Sequence, residues 1–203
     1  MSRKLTVVAT DLEGVLTPEI WIAVSEKTGI RELRLTTRDE PDYDKLMKGR
    51  LRILKEHGLK LRDIQNVIAA IQPLAGALEF VNWVRSNLQL IILSDTFAEF
   101  ASPLMAQLGW PTLFCNWLEV DAENNVAGYR IRKPDGKKHA VIALKGLGFH
   151  VISIGDSYND TTMLAEADAG LLFRPPQNVI AEFPQFKVTT EYRQLQEAIE
   201  RLL

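Results

Sequence analysis

Cysteine is almost absent from this sequence. Cys115 stands alone in 203 residues, which excludes an intrachain disulfide framework and a thiolate-rich metal site. The three histidines, His57, His139 and His150, have no metal-ligand spacing. Long apolar runs are missing too. Leu90-Ile91-Ile92-Leu93 is strand-sized, far below the roughly 20 residues needed to cross a bilayer. Met1-Ser2-Arg3-Lys4 carries two positive charges but no long apolar region follows, so no signal peptide or membrane partner is expected and the simplest location is the cytoplasm. Nor does one sign of charge dominate: 24 Lys plus Arg stand against 26 Asp plus Glu, a net charge of -2. Without a basic face there is no electrostatic case for a nucleic-acid partner. Apolar residues are 46% of the chain, enough for a real core. Trp21, Trp83, Trp110 and Trp117 read as packing residues, and Cys115 as buried and inert.

Leu5 to Ala9 is β-branched and ends on an acidic turn, which predicts a fully buried strand. A helix is predicted over 18–30, with Pro18 in its first turn and Gly29 at its end. A polar loop over 31–45, broken by Pro41, precedes helices at about 43–57 and 60–71. Beyond a further helix at 77–87 the pattern changes. Strands at 90–93, 113–115, 151–154 and 170–173 alternate with helices at 97–108, 137–147 and 160–167. A hairpin is expected from Leu118–Val120 and Val126–Ile131 around Asn124-Asn125, and an amphipathic helix closes the chain from Tyr192 to Leu203. This order implies an α/β fold with a doubly wound parallel sheet. The all-helical stretch is the exception. It reads as a small cap over 17–72 inserted after strand one, leaving 1–16 and 73–203 as the core domain.

In an open parallel sheet, ligands gather beyond the carboxyl ends of the strands. Three predicted strands end in reactive groups: Asp11 and Glu13 after the first, Ser94-Asp95-Thr96 after the second, and Gly155-Asp156-Ser157-Tyr158-Asn159-Asp160 after the third. Their convergence is the signal. A carboxylate can attack phosphorus and split one displacement into two easier ones. Several acids facing a phosphate dianion need a divalent cation between them, and magnesium suits one or two carboxylates plus phosphate oxygens. Asp11 and Asp156 fit as ligands, and Ser94 as a phosphate contact. The companion lysine is one of Lys133, Lys137, Lys138 and Lys145, with Lys137 favoured by its place near a helix start.

These residues carry a resemblance. Asp-x-Glu-Gly-Val, a serine after a later strand, a downstream lysine and Gly-Asp-Ser-x-Asn-Asp resemble the four motifs of the haloacid dehalogenase superfamily, a Rossmann-like fold. The helical insertion resembles its phosphoserine phosphatase branch. The blocks Asp11–Leu16, Pro18–Ile22, Pro41–Asp44, Arg50–Leu54 and Gly155–Leu164 resemble those bacterial members that also transfer phosphate to homoserine. The resemblance implies an Mg-dependent enzyme for a small-molecule substrate, phosphoserine, with homoserine as a second acceptor. Asp11 would be the nucleophile and a metal ligand. Glu13 would be the general acid and base, its carbonyl also on the metal. Ser94 and Lys137 would bind phosphate, Asp156 would complete the metal site, and Asp160 would orient Lys137 or the metal shell. Asp95 and Asn159 become substrate-side contacts, Glu19 the acid that meets the ammonium, and Arg50 the fork that grips the carboxylate.

One departure stands out, since most superfamily phosphatases have Asp where this chain has Glu13. The extra methylene moves the point of proton delivery and bears on which acceptor is used. Two other readings share the residues: a phosphatase for another small phosphomonoester, and a phospho-accepting receiver module, which would be shorter and lack the helical insertion. A homodimer is left open.

Overall fold

The computed structural model describes residues 4–36, 39–40 and 42–203. Pro41, expected to break the loop before the second helix, lies outside them. Seven strands form one sheet in the order β4-β3-β2-β1-β5-β6-β7. The centre is β1 (Thr6–Thr10), whose five residues are all buried. It pairs in parallel with β2 (Gln89–Phe97) on one side and β5 (His150–Gly155) on the other. β3 (Thr112–Val120) extends the sheet beyond β2, and β4 (Val126–Arg130) pairs with it antiparallel, the one such pairing of strands among the described residues. β6 (Ala169–Phe173) and β7 (Lys187–Thr189) complete the far side. The chain therefore winds outward from β1 in both directions, and the strand order reverses beside β1.

Alternation along β1 feeds two apolar layers. Val8 faces a core shared with Ile92, Ile152 and Leu171, covered by α4 (Ala77–Asn87), α5 (Ala98–Gln107) and α9 (Tyr192–Glu200). Val7 and Ala9 face the opposite layer with Ile91, Leu93 and Val151, closed by α6 (Gly136–Gly146), α7 (Thr161–Glu166) and α8 (Gln177–Glu182). Phe80, Tyr192 and Phe173 form a stack in the first layer, with centroids 5.3 and 4.7 Å apart.

Between β1 and α4 the chain is helical: α1 (Ile20–Thr28), a 3-10 turn (Arg31–Arg34), α2 (Tyr43–Glu56) and α3 (Leu61–Ala69). Its apolar faces are continuous with the first layer, since Trp21 meets Phe100 edge-on at 5.4 Å. Among the described residues no helix is long and apolar enough to cross a membrane.

Several boundaries differ from expectation. The pieces expected at 113–115 and 118–120 are one strand, β3. Asn116, which interrupts the apolar run, is buried with its polar groups satisfied: it donates to Asp95 O at 3.1 Å and accepts from the Arg132 amide at 3.0 Å. The 3-10 turn falls within the expected loop, and α8 and β7 were not anticipated. Trp110 (65% exposed) and Trp117 (41%) are surface residues rather than core, because they lie near the edge of the sheet. Cys115 is half-buried, not enclosed, and burial pushes its thiol up to about 11.

The aromatic stack ties the last helix to the core, and Phe80 is almost fully buried. Phe80→Ala is expected to cost about 3–5 kcal/mol in urea unfolding. A loss below about 1 kcal/mol would show that this stack does not anchor α9.

Candidate active site

The register places the reactive residues before any side chain is considered. Thr10 pairs with Ile92 and with Ile154, so the residues just beyond these three partners emerge side by side, those of β2 still within the strand. Asp11 stays tied to the sheet through its amide, which donates to Ile154 O at 2.9 Å. In β2 the pairing to β3 shifts between Leu93 and Phe97, and Ser94, Asp95 and Thr96 lie within that irregularity.

Lys137 lies at the centre. From the first turn of α6 its Nζ reaches Asp160 Oδ1 at 2.7 Å, Asp11 Oδ2 at 2.9 Å and Asp95 Oδ2 at 3.9 Å. The other lysines do not join this cluster. Lys133 is exposed, and Lys145 bonds to Glu166 O at 2.6 Å. Asp160 is wholly buried and used on both oxygens, since its Oδ2 accepts from the amides of Asp156 (3.0 Å) and Ser157 (3.2 Å). It thus shapes the turn that presents Asp156. Asp11 is aimed by its own next amide, Leu12 N–H to Oδ1 at 2.7 Å.

Two glycines make the crowding possible. A Cβ on Gly14, which sits at φ +79°, would fall 2.4 Å from Asp156 Oδ2. One on Gly155 would fall 2.3 Å from Asp160 Cβ. Only a missing side chain lets these carboxylates come so close.

Asp11, Asp156 and Asp160 each offer an oxygen within 4.8 Å of the others. With one lysine among three buried carboxylates, negative charge is in surplus. Burial first, then repulsion from Asp160, pushes Asp156 up to about 7. Asp11 is likewise raised, by burial and then by Asp160, while Lys137 opposes the shift. This donor set, all hard oxygen and short of positive charge, fits a divalent cation of the magnesium type.

Glu13 lies further out. Its Oε2 accepts from the Ile20 amide at the start of α1, at 2.8 Å. Burial, followed by the nearby Glu19 charge, raises it to about 7, against the smaller lowering effects of the Ile20 amide, Arg50 and Lys137. Across the cleft, Arg50 is buried on α2 with its guanidinium 4.5 Å over the Trp21 ring. Its Nη2 donates to Leu35 O at 2.7 Å, its Nη1 contacts Met47 Sδ at 3.6 Å, and its buried Nε has no hydrogen-bond partner among the described residues. Desolvation lowers it to about 10.

A cleft of about 630 Å³ joins these groups. Asp11, Glu13, Glu19, Arg50, Ser94, Asp95, Lys137, Asp156 and Asn159 all line it, and Asp160 stands behind. Every site residue expected from sequence is therefore at or beside one cavity. Ser94 Oγ accepts from the Thr96 amide at 3.2 Å, and Asn159 Nδ2 donates to Asp95 Oδ2 at 3.2 Å. Tyr43 and Asn178 also line the cleft and were missed. Tyr43 was visible only as part of a motif block, and nothing local distinguishes Asn178. Arg52, by contrast, is on the solvated face of α2, paired with Glu56 at 3.1 Å.

The fold and the arrangement of acids define a class. Residues 5–168 match the haloacid dehalogenase-like hydrolases, and the chain belongs to that family. It is 61% identical over 191 residues to phosphoserine phosphatase ThrH of Pseudomonas aeruginosa, covering 94% of this chain and 93% of that protein. It is also 61% identical over 185 residues to the phosphoserine phosphatase of Pseudomonas syringae pv. tomato, covering 91% and 78%. Among solved structures, a phospho-aspartyl intermediate analogue of phosphoserine phosphatase shares the fold with a TM-score of 0.77 at 17% identity, covering 97% of this chain and 99% of that one.

The charge surplus has a consequence for stability. In metal-free protein the native state holds the Asp156 proton more tightly than the unfolded chain does, whose carboxyl titrates near 3.8 against about 7 in the fold. This contribution is fully present below the unfolded value and is lost as pH rises through about 7, a loss on the order of 4 kcal/mol. Urea unfolding in chelator should show stability falling over that window, with a shallower fall in Asp156→Asn. Equal slopes in the two proteins would contradict the assignment.

Proposed function

We propose that this chain is a magnesium-dependent phosphoserine phosphatase acting through a phospho-aspartate on Asp11, and that the same intermediate passes its phosphate to homoserine. The observation that carries the reading is one cleft with a buried Asp11–Lys137–Asp156 end and, opposite, Arg50 near Glu19, its Nε unpartnered among the described residues. One end suits a phosphate and the other an amino acid's carboxylate and ammonium. The relatives named phosphoserine phosphatase support the same substrate.

In this reading Asp11 and Asp156, with the Glu13 carbonyl, hold the magnesium, which supplies the positive charge that lets a phosphate dianion approach the carboxylates. Lys137 and Ser94 hold the phosphate oxygens. A carboxylate oxygen of Asp11 attacks phosphorus, and the bond from phosphorus to the serine oxygen breaks. Glu13, poised near neutrality, gives its proton to that oxygen. Serine leaves. The Glu13 carboxylate then takes a proton from water or from the homoserine hydroxyl, and the new oxygen displaces Asp11 from phosphorus. Asp160 keeps Lys137 charged and in place, since burial opposes its ammonium while Asp11 and Asp160 favour it. The helical stretch 17–72 acts as a cap, closing Glu19 and Arg50 over a core made of 1–16 and 73–203. Asp95 and Asn159 border the substrate at the mouth.

Phosphoserine with magnesium should yield inorganic phosphate, and added homoserine should divert part of it to phosphohomoserine. Asp11→Asn should fall below about one-thousandth of native turnover. Arg50→Ala should raise the KM for phosphoserine by about a hundredfold with little change in kcat. Retained turnover in Asp11→Asn would overturn the mechanism. An unchanged KM in Arg50→Ala, with other phosphomonoesters reacting faster, would assign the site to a different substrate.

A further inference from the structure

Asp44 and the β3–β4 hairpin take no part in this chemistry, yet they meet. α2 carries Tyr43, Leu46 and Arg50 to the cleft, so its placement decides what the cleft can bind. At the start of α2, Tyr129 of β4 donates from its hydroxyl to Asp44 Oδ1 at 2.5 Å. The Tyr129 ring meets Tyr43 edge-on at 6.1 Å and Phe97 at 6.2 Å, and the Tyr43 hydroxyl donates to Asp95 O at 3.4 Å. The hairpin tip makes a second attachment. Asn124 O accepts from the Leu61 amide at 3.0 Å, and Asn124 Oδ1 accepts from the Arg62 amide at 2.9 Å. Lys60 Nζ donates to Glu123 O at 2.8 Å.

The second attachment answers a need of α3. The Lys60 carbonyl accepts from the Asp63 (3.0 Å) and Ile64 (3.3 Å) amides, but the first two amides of α3, Leu61 and Arg62, lie ahead of any helical acceptor, and the Lys60 side chain is a donor only. Asn124, 62 positions beyond Arg62 at the tip of the β3–β4 hairpin, supplies the cap. Asn124 holds φ 68°, a conformation Asn tolerates, and Asp121 Oδ1 braces the turn by accepting from the Glu123 (3.0 Å) and Asn125 (2.8 Å) amides. The hairpin is thus fixed to two helices at two separated points.

We propose that the β3–β4 hairpin clamps α2, which lines the cleft, together with α3 of the same helical stretch, with Tyr129 and Asn124 as positioning residues that set recognition of the substrate's amino-acid end without touching it. The kinetic part rests on the phosphoserine reading; the clamp itself does not. Phosphoryl chemistry lies on the sheet edge, at Asp11, Lys137 and Asp156, so loosening α2 affects binding of the amino-acid end and spares a phosphomonoester that lacks one.

The test is the double variant Tyr129→Phe/Asn124→Gly, which keeps the aromatic ring and the backbone conformation while deleting one hydrogen bond at each attachment. Its KM for phosphoserine should rise about tenfold, as expected for two lost hydrogen bonds, with kcat little changed. Turnover of p-nitrophenyl phosphate should be unaltered. Hydrogen exchange at the first amides of α2 and α3 should accelerate about tenfold by the same reasoning. An unchanged KM with unchanged exchange would overturn the clamp. Equal loss of kcat on both substrates would also overturn it, showing general damage to the fold. If native protein does not release phosphate from phosphoserine, the substrate reading fails and exchange alone decides the clamp: faster exchange upholds it, unchanged exchange overturns it.

Discussion

The Lys137 ammonium, buried 2.7 Å from Asp160 and 2.9 Å from Asp11, is the contact on which the rest of the structure turns. A buried cation of this kind is costly to isolate, and so is each carboxylate around it. The cluster persists because three adjacent strand ends converge, Gly14 and Gly155 leave room, and Asp160 is bonded on both oxygens. One lysine still does not balance three acids. The raised titrations of Asp11 and Asp156 are the electrostatic trace of that shortfall, which a divalent cation would make good.

In the proposed reading the sheet edge supplies the reaction end and the helical stretch supplies selection. Glu13 stands where the two meet. Its carboxylate is held by the first amide of α1 and pushed toward neutrality by burial and by Glu19. α1 thus holds the Glu13 carboxylate, while Arg50 comes from α2.

Much of this was legible in the sequence. A buried apolar run ending in an acidic turn marks a strand and its reactive end together, so Asp11, Ser94 and Asp156 could be placed in one site from order alone. Lys137 was favoured over its neighbours only by its place near a helix start, because burial chooses among lysines and burial is tertiary. The raised titration of Glu13 was equally out of reach, since it depends on Glu19 and on desolvation. Short elements escaped as well. α8 and β7 have six and three residues, too few to show a period, and Asn178 was missed with them. β3 was split because Asn116 breaks its apolar pattern, although in the fold that side chain is satisfied by Asp95 and Arg132. The attachments from Tyr129 and Asn124 join residues 85 and 62 positions apart, and no local signal announces them.

The central claim is that Asp11 itself carries the phosphoryl group. The direct measurement is rapid acid quench during turnover of phosphoserine with magnesium, followed by borohydride reduction and mass analysis of the peptides. The account predicts an acyl phosphate on the peptide containing Asp11, reduced there to homoserine, and none in Asp11→Asn. Turnover with no modified Asp11, or with the phosphoryl group on another residue, would contradict it.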